Sequence, residues 1–356
     1  MRTLFRFVSL QNEQQLHALQ QTLGKHLQTD PDAPPMGLEY DVPLPVDTWN
    51  AHTRILDCHW SDEFCFNDIH QALALFPSLY EVRVTVYYSG YLHTFQDDSS
   101  LTIPSTIRAL RYTSHLPSVS MDILCASHII SILSKHSRLH CLEFKGVPII
   151  PHLQSPEFFQ SANALLYLEL EVSHFRVTLS GDLFPNLLYL VLHQKSRHHY
   201  ALRLGVFSRV KSFTALYYYM VSQDPVSPLS RLSETFPELT ELRLGIQVQC
   251  GQLPAIATLL PEIPSGLISL SLFISGIITA PADLAEIQRR NSFTIPTTLK
   301  YFEYRSAWCS RTKIYDDPPA ISSFLDSCKS KGIQLLSSPI LDLAVIVSIP
   351  MVSYKS

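Results

Sequence analysis

The chain has 356 residues, 46% of them hydrophobic and 16% charged, so it is globular and has ample apolar material for a core. Its 27 Lys and Arg against 31 Asp and Glu give a formal net charge of -4, with no run of like charges of the kind that follows a nucleic acid or an anionic membrane. Neither is an expected partner, and the longest apolar stretch, ILDLAVIVSIP at 340–350, contains Asp342 and falls well short of the ~20 residues a bilayer-crossing helix needs.

At the N-terminus, residues 3–10 (TLFRFVSL) predict a strand. Residues 12–28 predict an amphipathic helix with Leu16, Leu19, Leu23 and Leu27 on one face and Asn12 as its cap. The prolines of 29–47 mark a surface loop. Residues 1–50 are therefore read as a strand–helix cap followed by a Pro-rich loop. The run MRTLFRFVSLQ is broken by Arg6 and does not read as a signal peptide, and no Asn-x-Ser/Thr acceptor occurs. Seven cysteines (Cys58, Cys65, Cys125, Cys141, Cys250, Cys309 and Cys328) lie without paired spacing, which fits a reducing compartment. The expected location is the cytoplasm, with the nucleus open to it.

From residue 75 onward one phrase recurs: LFPSLYEVRV, LFPNLLYLVL, TFPELTELRL. Leucine accounts for 52 residues, so a strict Leu-x-x-Leu-x-Leu is expected by chance about once. It occurs four times, starting at Leu165, Leu187, Leu239 and Leu267. Relaxed copies start at Leu79, Ile107, Leu139, Val210 and Leu299, and the nine starts are separated by 22 to 32 residues. Phe-Pro precedes the first leucine at Phe76-Pro77, Phe184-Pro185 and Phe236-Pro237. Ile-Pro does so at Ile103-Pro104, Ile263-Pro264 and Ile295-Pro296. A proline there is read as ending the preceding segment and favouring an extended lead-in.

Each unit is then a short strand with its leucines inward and its intervening residues outward, followed by a loop and often a helix. One unit cannot cover its own apolar face; stacked units can, with strands pairing in parallel. Helices are expected at 118–136, 283–290 and 319–331, the last stopped by Gly332 and followed by a final strand.

On these residues the chain resembles leucine-rich repeat proteins, and among them the irregular long-repeat class found in fungal F-box-associated repeat domains. The resemblance implies an α/β solenoid over 51–337, with a concave parallel β-sheet and convex helices, and leaves 338–356 as a C-terminal tail or cap. The asparagine that usually follows the strand in that family is replaced by Ser173, Lys195, Gln247 and Ser275 in the strict copies, so less regular turns are expected. The F-box, a helical module with an early Leu-Pro pair, is not found, so binding of a ligase adaptor is not carried over.

On such strands the third, fifth and seventh places face outward. In the middle of the chain these rows gather Lys145, Tyr167, Glu169, Glu171, Tyr189 and His193, aromatic residues ringed by charge of the kind protein hot spots favour. The expectation is a partner-binding patch on the concave face. The competing explanation is a set of cross-strand ladders in which, for example, Arg111 pairs with Glu143. Tyr217–Tyr219 and Met220 form a second cluster whose alternate members are read as core. His52, Cys58, His59 and Cys65 lie close together, but Cys58 and Cys65 are too far apart for the ligand pairs of a zinc site. No metal or cofactor is expected.

None of the glycine-rich phosphate loops, nucleophile elbows or His-Glu-x-x-His signatures is present. The expected function is therefore an intracellular protein-interaction scaffold and not an enzyme, with a protein partner of unknown identity. A substrate-recognition module of an F-box-like protein is one form of it. The alternative is a truncated or decaying family member with no specific partner.

Overall fold

A computed structural model of the chain describes residues 7–27, 53–60, 72, 73, 75, 76, 78–87, 106–115, 138–145, 163–172, 177–194, 202–219, 231–248, 264–277, 297–309, 314–315 and 319–336. The chain divides into two compact units, Met1–Ser173 and His174–Ser356.

The first unit contains β1 (Phe7–Leu10), α1 (Glu13–Leu27), β2 (Ile55–Trp60), β3 (Glu81–Val86), β4 (Ala109–Ser114), β5 (Cys141–Lys145) and β6 (Tyr167–Val172). Its strands pair in chain order, every neighbour parallel. Helix α1 starts as its sequence predicts, with the Gln15 N–H donating to Asn12 Oδ1 at 3.0 Å and the Gln11 N–H donating to Gln15 Oε1 at 2.7 Å. Among the described side chains of that helix's apolar face, Leu16 is fully buried.

The second unit contains β7 (Val177–Leu179), β8 (Tyr189–Gln194), β9 (Leu202–Leu204), β10 (Ser212–Tyr219), the short helix α2 (Leu232–Thr235), β11 (Glu241–Val248), β12 (Ser269–Ile277), β13 (Tyr301–Cys309), β14 (Ile314–Tyr315), α3 (Pro319–Ser330) and β15 (Gln334–Leu335). Strands β8, β10, β11, β12 and β13 form a parallel sheet, to which β15 adds in parallel and β14 antiparallel. Strands β7 and β9 pair separately. Between them and the sheet, Gly181 donates its N–H to the Val206 carbonyl at 3.0 Å. A Cβ there would lie 2.2 Å from that oxygen, so only glycine permits the approach.

All nine repeat starts lie two residues before a strand, so each strand begins at the third place of its repeat. Within each unit the register runs third place to third place: Glu81, Ala109, Cys141 and Tyr167 in the first, Tyr189, Ser212, Glu241, Ser269 and Tyr301 in the second. The first, fourth and sixth places form the core. In LLYLEL, for instance, Leu165, Leu168 and Leu170 are all buried while Leu166 is exposed. A one-residue slip would turn that set to the other face, so the leucine pattern itself holds the register.

The repeated proline has a different role from the extended lead-in expected of it. The N–H of the first-place residue donates three residues back, Leu187 to the Phe184 carbonyl at 3.1 Å and Leu239 to that of Phe236 at 3.2 Å. Phe-Pro-x-Leu is thus a reverse turn with proline at its second position, where a fixed φ is already suitable. The turn drops the phenylalanine into the core: Phe76, Phe184 and Phe236 are buried, and Phe236 stacks on Phe213 with ring centroids 4.6 Å apart. At the sixth start, Val210, Phe207 makes the same turn without proline (3.4 Å), and at Leu267 Pro264 itself takes the phenylalanine's place (3.1 Å).

A second recurring device joins the repeats. The second-place carbonyl of one repeat accepts two N–H groups of the next: Tyr80 O accepts from Arg108 (2.8 Å) and Ala109 (3.1 Å), and Arg108 O from His140 (2.8 Å) and Cys141 (3.0 Å). In the second unit Lys211 O and Thr240 O do the same. At the C-terminal end α3 stops as expected. Gly332 has φ 76°, its N–H donates to Lys329 O at 2.9 Å, and the Ile333 N–H donates to Cys328 O at 3.0 Å. That pair of bonds is a Schellman motif, and Ile333 is buried as its hydrophobic partner position requires. The helices expected at 118–136 and 283–290 lie outside the described residues. Among the described residues no helix is long and apolar enough to cross a membrane.

Candidate functional site

With the core assigned to the first, fourth and sixth places, the other residues of each strand form outward rows. In the first unit the fifth-place row runs Asp57, Arg83, Arg111, Glu143, Glu169 across β2 to β6. That order sets two arginines side by side and two carboxylates side by side, arrangements that would repel if left alone.

The flanking rows resolve both. Glu81 Oε1 accepts from the Nε of Arg83 at 2.7 Å and from the Nε of Arg111 at 2.8 Å. Lys145 Nζ donates to Glu143 Oε1 at 2.5 Å and stands 3.0 Å from Glu169 Oε1. An ion pair between Arg111 Nη1 and Glu143 Oε2 links the two halves, and the Tyr167 hydroxyl donates to Glu169 Oε2 at 2.5 Å. The result is one continuous network from Arg83 to Tyr167.

The network is unevenly solvated. Glu143, Glu169 and Glu171 are buried, at 5%, 6% and 6% exposure. The side chains of Arg83, Arg111 and Lys145 keep about two-fifths of their surface in water (41%, 40% and 39%). Titration follows the geometry. Burial acts to lower Lys145, but its hydrogen bonds to Glu143 and Glu169 outweigh it and the ammonium is held above its ordinary value. Burial opposes charge on Arg111 too, yet Glu143 and Glu81 raise it further. Burial pushes the Tyr167 phenol well above its usual range, and its hydrogen bond to Glu169 adds to the shift. Burial also pushes the Cys141 thiol up to about 11, with Arg111 pulling the other way. Cys58, fully buried beside Asp57, is raised as well, first by burial. These thiols are protonated at neutral pH and are poor nucleophiles.

Of the six residues expected to form the partner patch, Lys145, Tyr167 and Glu169 meet in this network, and Glu171 is buried further along β6. Tyr189 and His193 belong to the second unit, on the same side of β8, with Tyr189 47% exposed and His193 half-buried. Also in that unit, Arg305 lies over the Phe273 ring at 5.7 Å. Its Nη2 is 3.0 Å from Glu303 Oε1, an ion pair not aligned as a hydrogen bond. Tyr217, Tyr218 and Tyr219 lie in β10 where its register on β11 shifts, and Met220 is outside the described residues.

The other end of the network holds none of the six expected patch residues. An open concavity of about 480 Å³ is lined by Asp57, Arg83, Val84, Thr85, Arg111, Thr113 and Glu143. Beside it three rings form a column: His59 on Tyr87 at 5.7 Å and Tyr87 on His115 at 5.3 Å, with Tyr87 44% exposed. His59 Nε2 is 3.3 Å from Asp57 Oδ2, and Arg83 lies over the exposed Phe7 ring at 5.9 Å. The signal was legible: Arg83 and Arg111 share the fifth place in consecutive repeats. What singles them out is the distances, which no row of letters contains.

Among the described residues no group of three His, Cys, Asp or Glu side chains is placed to hold a metal ion. His52 and Cys65 are outside the described residues. The fold defines a repeat protein with one parallel strand per repeat. The chain matches no protein-family model and no curated protein sequence.

Proposed function

We propose that the chain is a protein-interaction scaffold of the leucine-rich repeat type, with helices in the connections behind its strands, and that its partner lies along the outward face of β2–β6. The observation that carries this reading is the tied network of charges from Arg83 to Glu169, with an exposed tyrosine, Tyr87, held between two histidine rings just past the end of β3. Arg and Tyr are the residue types that most often dominate interface energetics. Ion pairs and ring contacts hold these side chains in place before a partner arrives, which lowers the entropy lost on docking. Catalysis has no comparable support: the Cys58 and Cys141 thiols are held protonated, and the carboxylates Glu143 and Glu169 are engaged by Lys145, Arg111 and Tyr167.

The test is capture from a native lysate with crosslinking, using the wild-type chain, an Arg83→Glu/Tyr87→Ala variant and a Tyr80→Ala control. Tyr80 is 51% exposed but precedes β3 and lies outside the outward rows. A partner crosslinked to β2–β6, kept by the control and lost by the double variant, supports the reading. Co-capture of a ligase adaptor would make the chain the recognition part of an F-box-like receptor. Equal capture by all three proteins overturns the face assignment, and no saturable partner for any of them leaves the decaying relative as the better account.

A further inference from the structure

We propose that β3 and β4 carry an oxyanion-binding site, in which Arg83 and Arg111, with Thr85 and Thr113 two residues further along the same strands, receive one carboxylate or phosphate group borne by a protein partner. The proposal deepens the scaffold reading and rests on it for the source of the group, while the anion site itself is testable alone.

Arg83 and Arg111 are register partners on adjacent strands, as are Thr85 and Thr113. Strands so paired are about 4.8 Å apart, a spacing one tetrahedral or planar oxyanion can bridge. Both guanidinium groups are anchored through Nε to the same oxygen of Glu81, which fixes their planes and leaves their terminal nitrogens unanchored by it. Arg111 Nη1 is engaged by Glu143. Among the described residues, both Nη nitrogens of Arg83, Nη2 of Arg111 and the hydroxyls of Thr85 and Thr113 make no hydrogen bond. All four side chains line the 480 Å³ concavity, which has room for an oxyanion and the chain that carries it.

The three cations of the network are matched by Glu81, Glu143 and Glu169, so the case for an anion rests on the open donors and not on surplus charge. Among the described residues, the two guanidinium groups share Glu81, and the one other carboxylate bonded to either, Glu143, is shared with Lys145, which also meets Glu169. An oxygen pair entering between the arginines meets two cations and pre-aimed N–H donors, the fork geometry that favours carboxylate and phosphate. Asp57 and Glu143 at the sides of the concavity limit what enters to a single anionic group. A nucleic acid strand needs a row of cations, and these walls interrupt any such row.

The experiment titrates the full-length chain with inorganic phosphate, followed by ³¹P line broadening, and separately with ¹³C-acetate, at low ionic strength. Wild type is compared with Arg83→Gln and Thr85→Val after circular dichroism shows unchanged folds. The expected result is saturable broadening for at least one anion, weakened about tenfold in Arg83→Gln, as loss of a charged hydrogen-bond donor pair implies. Phosphate alone saturating supports a phosphorylated side chain as the natural ligand. Acetate competing equally supports Asp or Glu. No saturation with either anion, or an Arg83→Gln protein that binds like wild type, overturns the site. Because this readout needs no partner, an absent anion effect beside successful partner capture removes only this proposal, and anion binding without any captured partner removes only the scaffold reading.

Discussion

Glu143→Gln is the sharpest probe of the outward network. The carboxylate is 5% exposed and bonds Arg111 and Lys145, so the substitution keeps the shape and removes the charge between two cations. Were both partners buried, breaking the pairs would cost about 3–5 kcal/mol; were all three exposed, each pair would be worth about 0.2–1 kcal/mol. The side chains of Arg111 and Lys145 are about two-fifths exposed, and each keeps a second carboxylate, Glu81 and Glu169 respectively. The expected loss is therefore intermediate, about 1–2 kcal/mol, after discounting for water at the cationic ends.

Urea unfolding followed by far-UV circular dichroism measures it, within a double-mutant cycle against Lys145→Met. A coupling energy of about 1 kcal/mol is expected, and about half of it should persist in 1 M salt because one end of the pair is out of water. A coupling below about 0.3 kcal/mol, or one abolished by salt, would show that water screens the pair fully and that the network does not fix its side chains. The preorganisation argument for the binding face would then fall with it.

Adjacent leucines test the register: Leu168→Ala, fully buried, should cost about 2–5 kcal/mol, whereas Leu166→Ala, 38% exposed, should stay within about 0.5 kcal/mol, and similar losses would refute the strand assignment. Gly332→Ala has open space for its Cβ but must hold φ 76°, so a purely conformational loss of about 1–2 kcal/mol is expected from thermal or urea unfolding. In a variant retaining only Cys141, a thiol pKa of about 11 predicts iodoacetamide labelling at neutral pH about a hundredfold slower than after unfolding; equal rates would contradict the burial. Lys145 and Tyr167 are both raised in the folded state, so the stability they lend is fully present below their unfolded values and is lost as pH climbs past about 10. The urea midpoint should fall across that range, less steeply in Tyr167→Phe.

The strands were legible because their signal is local: leucine at fixed offsets predicts which side is buried, and all nine starts fall two residues before a strand. The Phe-Pro signature is ambiguous in the sequence, since proline favours both extended chain and the second position of a turn, and the hydrogen bonds of Leu187 to Phe184 and Leu239 to Phe236 decide for the turn. The outward face was legible as rows and not as contacts. Glu143 and Glu169 look like solvated charges in the sequence, yet the reach of Lys145 and Arg111 across neighbouring strands brings counter-charges onto them and they are buried. The division at Ser173 carries no mark in composition that would have announced it.

The densest cluster of charge and aromatic rings is not by itself the best place for a partner to land. At β5 and β6 the paired carboxylates already hold Lys145, Arg111 and the Tyr167 hydroxyl. A partner there would have to desolvate ions whose bonds are already made, a cost that new contacts rarely exceed. At β3 and β4 the arginines have open donors, and a small residue explains why. The third place of β3 is Glu81, whereas its register partner on β4 is Ala109, 4% exposed, which adds no carboxylate on β4 itself. With no acid at 109, Arg83 and Arg111 share Glu81 while Arg111 turns also to Glu143, and the arginines line one concavity with Thr85 and Thr113, where the proposed oxyanion would sit.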